Sequence, residues 1–297
     1  MKIRNSTKVM IAGIVLALLA AGGAAGCNST PSETGKVGVA VSILPQAEFM
    51  ERIGGDKVDV TVMVPPGASP HSYEPAPSQL TALSKAAMYA KVGSGVEFEL
   101  TWMDKLIAQN QDMLVVDCSQ GIQLLDMTVG EEAGTKDPHI WMSPVNAETM
   151  VKNITDGLIK VDPDNQSYYE KNRDDYLAEL AQLDTDIRSG LEGVTNRTFM
   201  VYHPSFGYFA AEYNLTMLAI EDEGKEPTAS GILHLIDEAK SLGIKVIFVE
   251  PQFNPQSAEV IANEIGGSVI YIDPLARDYL ENLRSMSSEL ISTLKSS

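Results

Sequence analysis

From Lys36 onward, short runs of β-branched and other apolar residues alternate with longer segments whose apolar positions recur every three or four residues. The short runs predict strands over 37–43, 58–64, 88–92 and 113–117. The longer segments predict helices over 46–53, 77–86, 97–110 and 144–161. The alternation restarts after residue 195, with strands over 199–202, 216–220, 245–250 and 268–272 and helices over 206–213, 228–242, 255–265 and 278–294. Parallel neighbours need a crossover long enough to hold a helix, so strict strand–helix alternation predicts parallel sheets. The expected fold class is α/β, with two lobes that each carry a parallel four-stranded sheet flanked by helices.

Between the halves, Tyr169, Tyr176, Leu180, Leu183, Ile187 and Leu191 fall three, four or seven residues apart, as on one face of a single helix. Pro163 stands where a first helical turn tolerates it, and Gly190 and Gly193 lie near the exit. At about 1.5 Å per residue, roughly 28 residues span about 42 Å, the length of a whole domain. One long rigid helix therefore joins the lobes; a coiled-coil or partner-binding helix is the alternative reading of its stripe. The expected division is a signal over 1–26, a tether over 27–36, an N-terminal lobe over 37–162, the linker helix over 163–193 and a C-terminal lobe over 194–297.

The first residues have a different pattern. Lys2, Arg4 and Lys8 precede an apolar run over 9–21, too short to cross a membrane comfortably, and small residues then lead into Cys27. Ala24-Ala25-Gly26-Cys27 resembles a lipobox, with Ala where Leu is usual, and 28–36 is a polar tether. The expectation is an exported lipoprotein anchored through Cys27 to the outer face of the cytoplasmic membrane, or a periplasmic protein if the cysteine is incidental. Cys118 then has no disulfide partner and reads as a buried, inert thiol.

Twenty-two basic against 40 acidic residues give a net charge of −18, which repels nucleic acid and anionic lipid and favours cations. Asn28, Asn153, Asn165, Asn196 and Asn214 head Asn-x-Ser/Thr sequons and are candidate glycosylation sites.

Four histidines occur, and three of them adjoin a proline: Pro70-His71, Pro138-His139 and His203-Pro204. With 15 prolines in 297 residues, chance contact should occur about a tenth of the time. Proline stiffens the backbone and excludes helix before it, which suits a preorganised metal site. His71 and His203 follow predicted strands, His139 precedes a predicted helix, and Asp273 leaves the last strand before Pro274. Ligands of open parallel sheets bind outside the carboxyl ends of strands, so these four residues, two from each half, would place a metal between the lobes. Three neutral imidazoles and one carboxylate suit zinc, at nitrogen distances near ~2.0 Å, and are acceptable to manganese. Glu250-Pro251 is a reserve candidate of the same style. His234 aligns with polar residues on a predicted helix and reads as solvated.

Taken together, the motifs carry a resemblance. Pro65-Pro66-Gly67 with Pro70-His71-Ser72-Tyr73-Glu74-Pro75, Gly93-Ser94-Gly95-Val96-Glu97, Asp137-Pro138-His139-Ile140-Trp141, His203-Pro204-Ser205-Phe206-Gly207-Tyr208, Glu226-Pro227 and Asp273-Pro274-Leu275 resemble the zinc/manganese solute-binding proteins of ABC importers, the ZnuA/TroA type. The resemblance runs from about residue 37 to the C-terminus. It implies two α/β lobes joined by one long helix and a single metal held by His71, His139, His203 and Asp273. It also implies a monomer that hands its ion to a membrane permease. Manganese-leaning members carry Glu where His203 stands, so Zn2+ is expected before Mn2+. Many zinc members insert a His-rich loop before the position of His139, whereas 126–136 is short and has no histidine.

Two other readings compete. A secreted zinc hydrolase would need a general base, and no His-Glu-x-x-His or other hydrolytic motif occurs. A surface adhesin is compatible with metal binding and leaves no signature in the sequence.

Overall fold

The computed structural model describes residues 35–127, 135–221 and 225–296. The expected signal, Cys27 and Asn28 lie outside the described residues.

The first half runs β1 (Val37–Val41), α1 (Leu44–Gly54), β2 (Val58–Val62), α2 (Pro77–Leu83), β3 (Met88–Lys91), α3 (Glu97–Gln109), β4 (Leu114–Asp117) and α4 (Pro144–Val161). Its strands form one parallel sheet in the order β2-β1-β3-β4. After α5 (Gln166–Gly190) come β5 (Thr198–Val201), α6 (Gly207–Glu212), β6 (Thr216–Ala219), α7 (Ala229–Ser241), β7 (Val246–Val249), α8 (Gln256–Ile265), β8 (Ser268–Tyr271) and α9 (Tyr279–Ser296). These strands repeat the topology as β6-β5-β7-β8, again parallel. The α/β class with two four-stranded parallel sheets is as the alternation predicts.

Helices cover both faces of each sheet, so successive residues of the central strands β1, β3, β5 and β7 are buried together rather than alternately: Val39, Ala40 and Val41 are all at most 1% exposed. Several strands end one or two residues earlier than the apolar runs. Ile43 is fully buried yet caps α1 from outside the ladder, because apolar pattern reports burial and not strand pairing.

A single 3₁₀ turn, Pro163–Asn165, precedes α5, whose 25 residues make a rod of about 37 Å. The stripe expected to pack does so: Tyr169, Tyr176, Leu180, Leu183 and Ile187 are all buried. They lie against α4 and α1 on one side and α9 on the other. One apolar core therefore runs from the first lobe through the strut into the near side of the second sheet, and a separate cluster around Ile236, Ile247 and Ile261 fills its far side. Polar ties reinforce this join. Trp141 Nε1 donates to Pro274 O at 2.9 Å, and Tyr279 donates its hydroxyl to Trp141 O at 2.7 Å. Glu48 on α1 accepts from Tyr176 at 2.9 Å and from the Leu280 amide at 3.2 Å, with burial holding its carboxyl above the usual range.

Candidate metal centre

The loops leaving the carboxyl ends of both sheets converge between the lobes. His71 follows β2, His139 lies between β4 and α4, and His203 follows β5; all three line one cleft, with Glu250, Gln252 and Phe253. His139 Nε2 and His203 Nε2 are 3.2 Å apart, with ring centroids at 5.1 Å and planes at 77°. A tetrahedral ion about 2.0–2.1 Å from each nitrogen holds its ligands about 3.3 Å apart, so this pair already stands at ligand spacing. The His71 ring lies 5.2 Å from that of His203. His139 and His203 are 6% and 8% exposed, whereas the His71 side chain is 43% exposed at the mouth.

Each imidazole turns Nδ1 to a carboxylate: His71 to Glu97 at 3.1 Å, His139 to Asp137 at 2.9 Å and His203 to Glu221 at 3.1 Å. A carboxylate there fixes the proton on Nδ1 and leaves the Nε2 lone pair for an ion. Burial lowers the pKa of His203 below its ordinary value, outweighing the Glu221 hydrogen bond and keeping the ring neutral at neutral pH.

Local structure sets these orientations. Asp137 Oδ1 also accepts the His139 backbone N–H at 2.8 Å, while Tyr208 donates its hydroxyl to Asp137 O at 2.9 Å. Gly207 opens α6 directly against this residue: a Cβ there would fall 2.1 Å from Asp137 Oδ2. His203 stacks on Phe253 at 4.9 Å and 23°, and its backbone N–H reaches Glu250 Oε2 at 3.3 Å. Glu250 also accepts from Ser205 Oγ at 3.0 Å, and burial pushes its carboxyl up to about 8.

Asp273 follows β8 and stands at the edge of this arrangement. Its Oδ1 accepts from Gln252 Nε2 at 2.9 Å and from the Leu275 amide at 3.0 Å. The carboxylate borders the adjoining cavity, and Gln252 and Leu275 wall both spaces. Among the described residues no three His, Cys, Asp or Glu side chains are drawn together tightly enough to cage an ion as they stand.

The family model described as zinc-uptake complex component A, periplasmic (ZnuA), matches residues 39–293. The chain belongs to the ZnuA family. It is 32% identical over 278 residues to the high-affinity zinc uptake system protein ZnuA of Bacillus subtilis, covering 90% of this chain and 87% of that protein. It is 28% identical over 294 residues to the manganese-binding lipoprotein MntA of Halalkalibacterium halodurans, covering 95% and 96%. Among solved structures, a crystal structure of ZnuA superposes with a TM-score of 0.83 at 43% identity, covering 87% of this chain and 99% of that one. Members of the ZnuA family are substrate-binding proteins and not enzymes, so the hydrolase alternative is not favoured.

The remaining candidate residues lie elsewhere in this ZnuA-type fold. His234 is on the exposed face of α7, its side chain 80% exposed and 3.8 Å from Glu238. Cys118 is buried and free, and burial pushes its thiol well up. The amide nitrogens of Asn153, Asn165 and Asn196 already donate, to Cys118 O and Gln120 O, to Asp162 and to Leu242 O respectively, bonds that a glycan would disturb. Asn214 is exposed, with φ of 52°.

Sequence reasoning assigned no role to Glu97, Asp137 or Glu221. Asp137 was within reach of it, since a carboxylate two residues before a candidate ligand can fold back onto it. Glu97 and Glu221 gave no such local signal.

Proposed function

We propose that this chain is the extracytoplasmic solute-binding component of an ABC importer. It captures one Zn2+ between its lobes through His71, His139, His203 and Asp273 and delivers the ion to a membrane permease, with Mn2+ as the weaker cargo. The observation that carries this reading is the 3.2 Å spacing of two buried Nε2 atoms, each on a ring whose Nδ1 faces a carboxylate. With the proton of each ring held on Nδ1 by its carboxylate, the two Nε2 lone pairs face one gap, which a shared cation would fill. Cys27, if acylated, tethers the domain at the membrane face where the permease lies.

The ion is cargo, and the chain's own groups do the work of holding it. It meets His71 first, at the open mouth, and sheds water as His139 and His203 replace it. Three neutral imidazoles and one carboxylate leave a formal charge of +1 on bound Zn2+, which Glu97, Asp137 and Glu221 offset through the ring N–H groups. His139 and His203 already stand at ligand spacing, and His71 and Asp273 complete the shell around the ion. Protons compete with the ion for the same Nε2 atoms, so affinity falls as pH drops through the histidine range.

Competition titration with a zinc chelator tests this. One zinc per chain is expected, with His139→Ala and His203→Ala each weakening affinity by about tenfold or more, or 1.4 kcal/mol. His234→Ala should match the parent. Two or more tight sites, or an equal loss in His234→Ala, would overturn the assignment.

A further inference from the structure

Each candidate imidazole ligand carries a partner of opposite polarity on its far side. Asp273 has one as well: the Gln252 carboxamide, which donates to Oδ1 at 2.9 Å. We propose that Gln252 is the residue that positions Asp273 and sets the preference for zinc over manganese, by reserving Oδ1 and presenting a single oxygen to the ion. This rests on the reading of the cleft as a metal site.

The segment Glu250-Pro251-Gln252-Phe253, between β7 and α8, touches both candidate ligands of the second lobe. Glu250 accepts the His203 amide, Phe253 stacks on the His203 ring, and Gln252 holds Asp273. Gln252 also walls the histidine cleft on one side and the Asp273 cavity on the other, so its side chain stands where the two meet. With the Leu275 amide at 3.0 Å, it gives Oδ1 two N–H donors. Among the described residues Oδ2 accepts none.

A carboxylate whose Oδ1 is engaged twice binds an ion through the other oxygen alone. One carboxylate oxygen with three imidazoles completes four-coordination, the geometry of zinc. Manganese favours more oxygen ligands at higher coordination number, which a freed, two-oxygen carboxylate would supply. With its amide nitrogen turned to Asp273 Oδ1, Gln252 acts on the ion through Asp273.

A double-mutant cycle read with three metals tests this on the full mature chain. Gln252→Ala should weaken zinc by about tenfold, a loss typical of removing a ligand's hydrogen-bond partner. It should cost manganese less, lowering the ratio of zinc to manganese affinity. Gln252→Glu keeps the shape, replaces the donor with a repelling charge and should lose at least as much zinc affinity. In an Asp273→Ala background, Gln252→Ala should change zinc affinity by less than about twofold. The visible bands of the cobalt-loaded protein should be intense, as in four-coordination, and should weaken in Gln252→Ala. Equal losses with and without Asp273, or unchanged affinities and cobalt spectrum in both Gln252 variants, would overturn the role. His203→Ala, measured alongside, separates the two levels. If it binds zinc like the parent, the histidine site falls and the Gln252 role with it. If it loses zinc while both Gln252 variants match the parent, only the Gln252 role falls.

Discussion

Asp137→Asn removes a charge from the metal centre while leaving nearly every atom in place. Asp137 is 4% exposed, and its Oδ1 takes both N–H groups of His139, the backbone at 2.8 Å and Nδ1 at 2.9 Å. An asparagine oxygen can still accept both, so the turn should persist. The bond to Nδ1 changes from charge-assisted to neutral, roughly halving a contribution of about 1.5–3 kcal/mol. Loss of a ligand's carboxylate partner typically weakens metal affinity by about 10- to 100-fold, or about 1.4–2.7 kcal/mol. The two ranges overlap near about 1.4 kcal/mol, a tenfold loss of zinc affinity. Glu221 is likewise buried, its side chain 3% exposed, and Glu221→Gln should cost a similar amount. Glu97 has a side chain 55% exposed, so solvent screens its charge, and Glu97→Gln should stay within about threefold of the parent. Chelator competition at fixed pH and ionic strength, with circular dichroism to verify folding, measures all three. An Asp137→Asn protein within twofold of the parent, or a larger loss in Glu97→Gln than in Asp137→Asn, would refute the claim that buried carboxylates tune the inner histidines.

Gly207→Ala should weaken zinc by about tenfold in the same titration, because its Cβ would displace Asp137 from His139; full affinity would mean the chain yields elsewhere. In metal-free protein, Glu250 is held up to about 8 against 4.5 when unfolded, so its stabilising effect is complete at low pH and declines as pH rises through that window. The melting temperature of the parent should therefore fall between pH 5 and pH 8.5 relative to Glu250→Gln, whereas parallel curves would show that this carboxyl ionises freely. His203 has the opposite sign: its lowered pKa gives stability that is present above the ordinary histidine range and lost as pH falls, a dependence His203→Ala should remove. His203→Glu should shift the ratio of zinc to manganese affinity toward manganese, since a hard oxygen replaces a borderline nitrogen; an unchanged ratio would mean ligand type there does not set selectivity.

The strand–helix alternation carried the fold because both faces of each sheet are covered, leaving central strands such as Val37–Val41 without polar residues, beside helices with a 3.6-residue period. The strut was legible from the spacing between Tyr169 and Leu191, although its first turn at Pro163–Asn165 is 3₁₀. Proline neighbours singled out His71, His139 and His203, and the structure gathers all three in one cleft. Their carboxylate partners were harder to see. His203 meets Glu221 across 18 residues because β5 and β6 are neighbours, and His71 meets Glu97 across 26 because α3 begins beside the loop after β2. Those pairings depend on sheet order, which a linear pattern does not encode. The Gln252–Asp273 bond has the same origin, since β7 and β8 pair side by side and deliver both residues from adjacent strand ends.

X-ray absorption at the zinc edge of the zinc-loaded chain tests the histidine centre most directly. One zinc per chain in a four-coordinate shell of nitrogen and oxygen at about 2.0–2.1 Å, with the outer-shell scattering of three imidazole rings, is the expected result. A six-coordinate oxygen shell, a sulfur ligand or fewer than two imidazoles around the ion would contradict it.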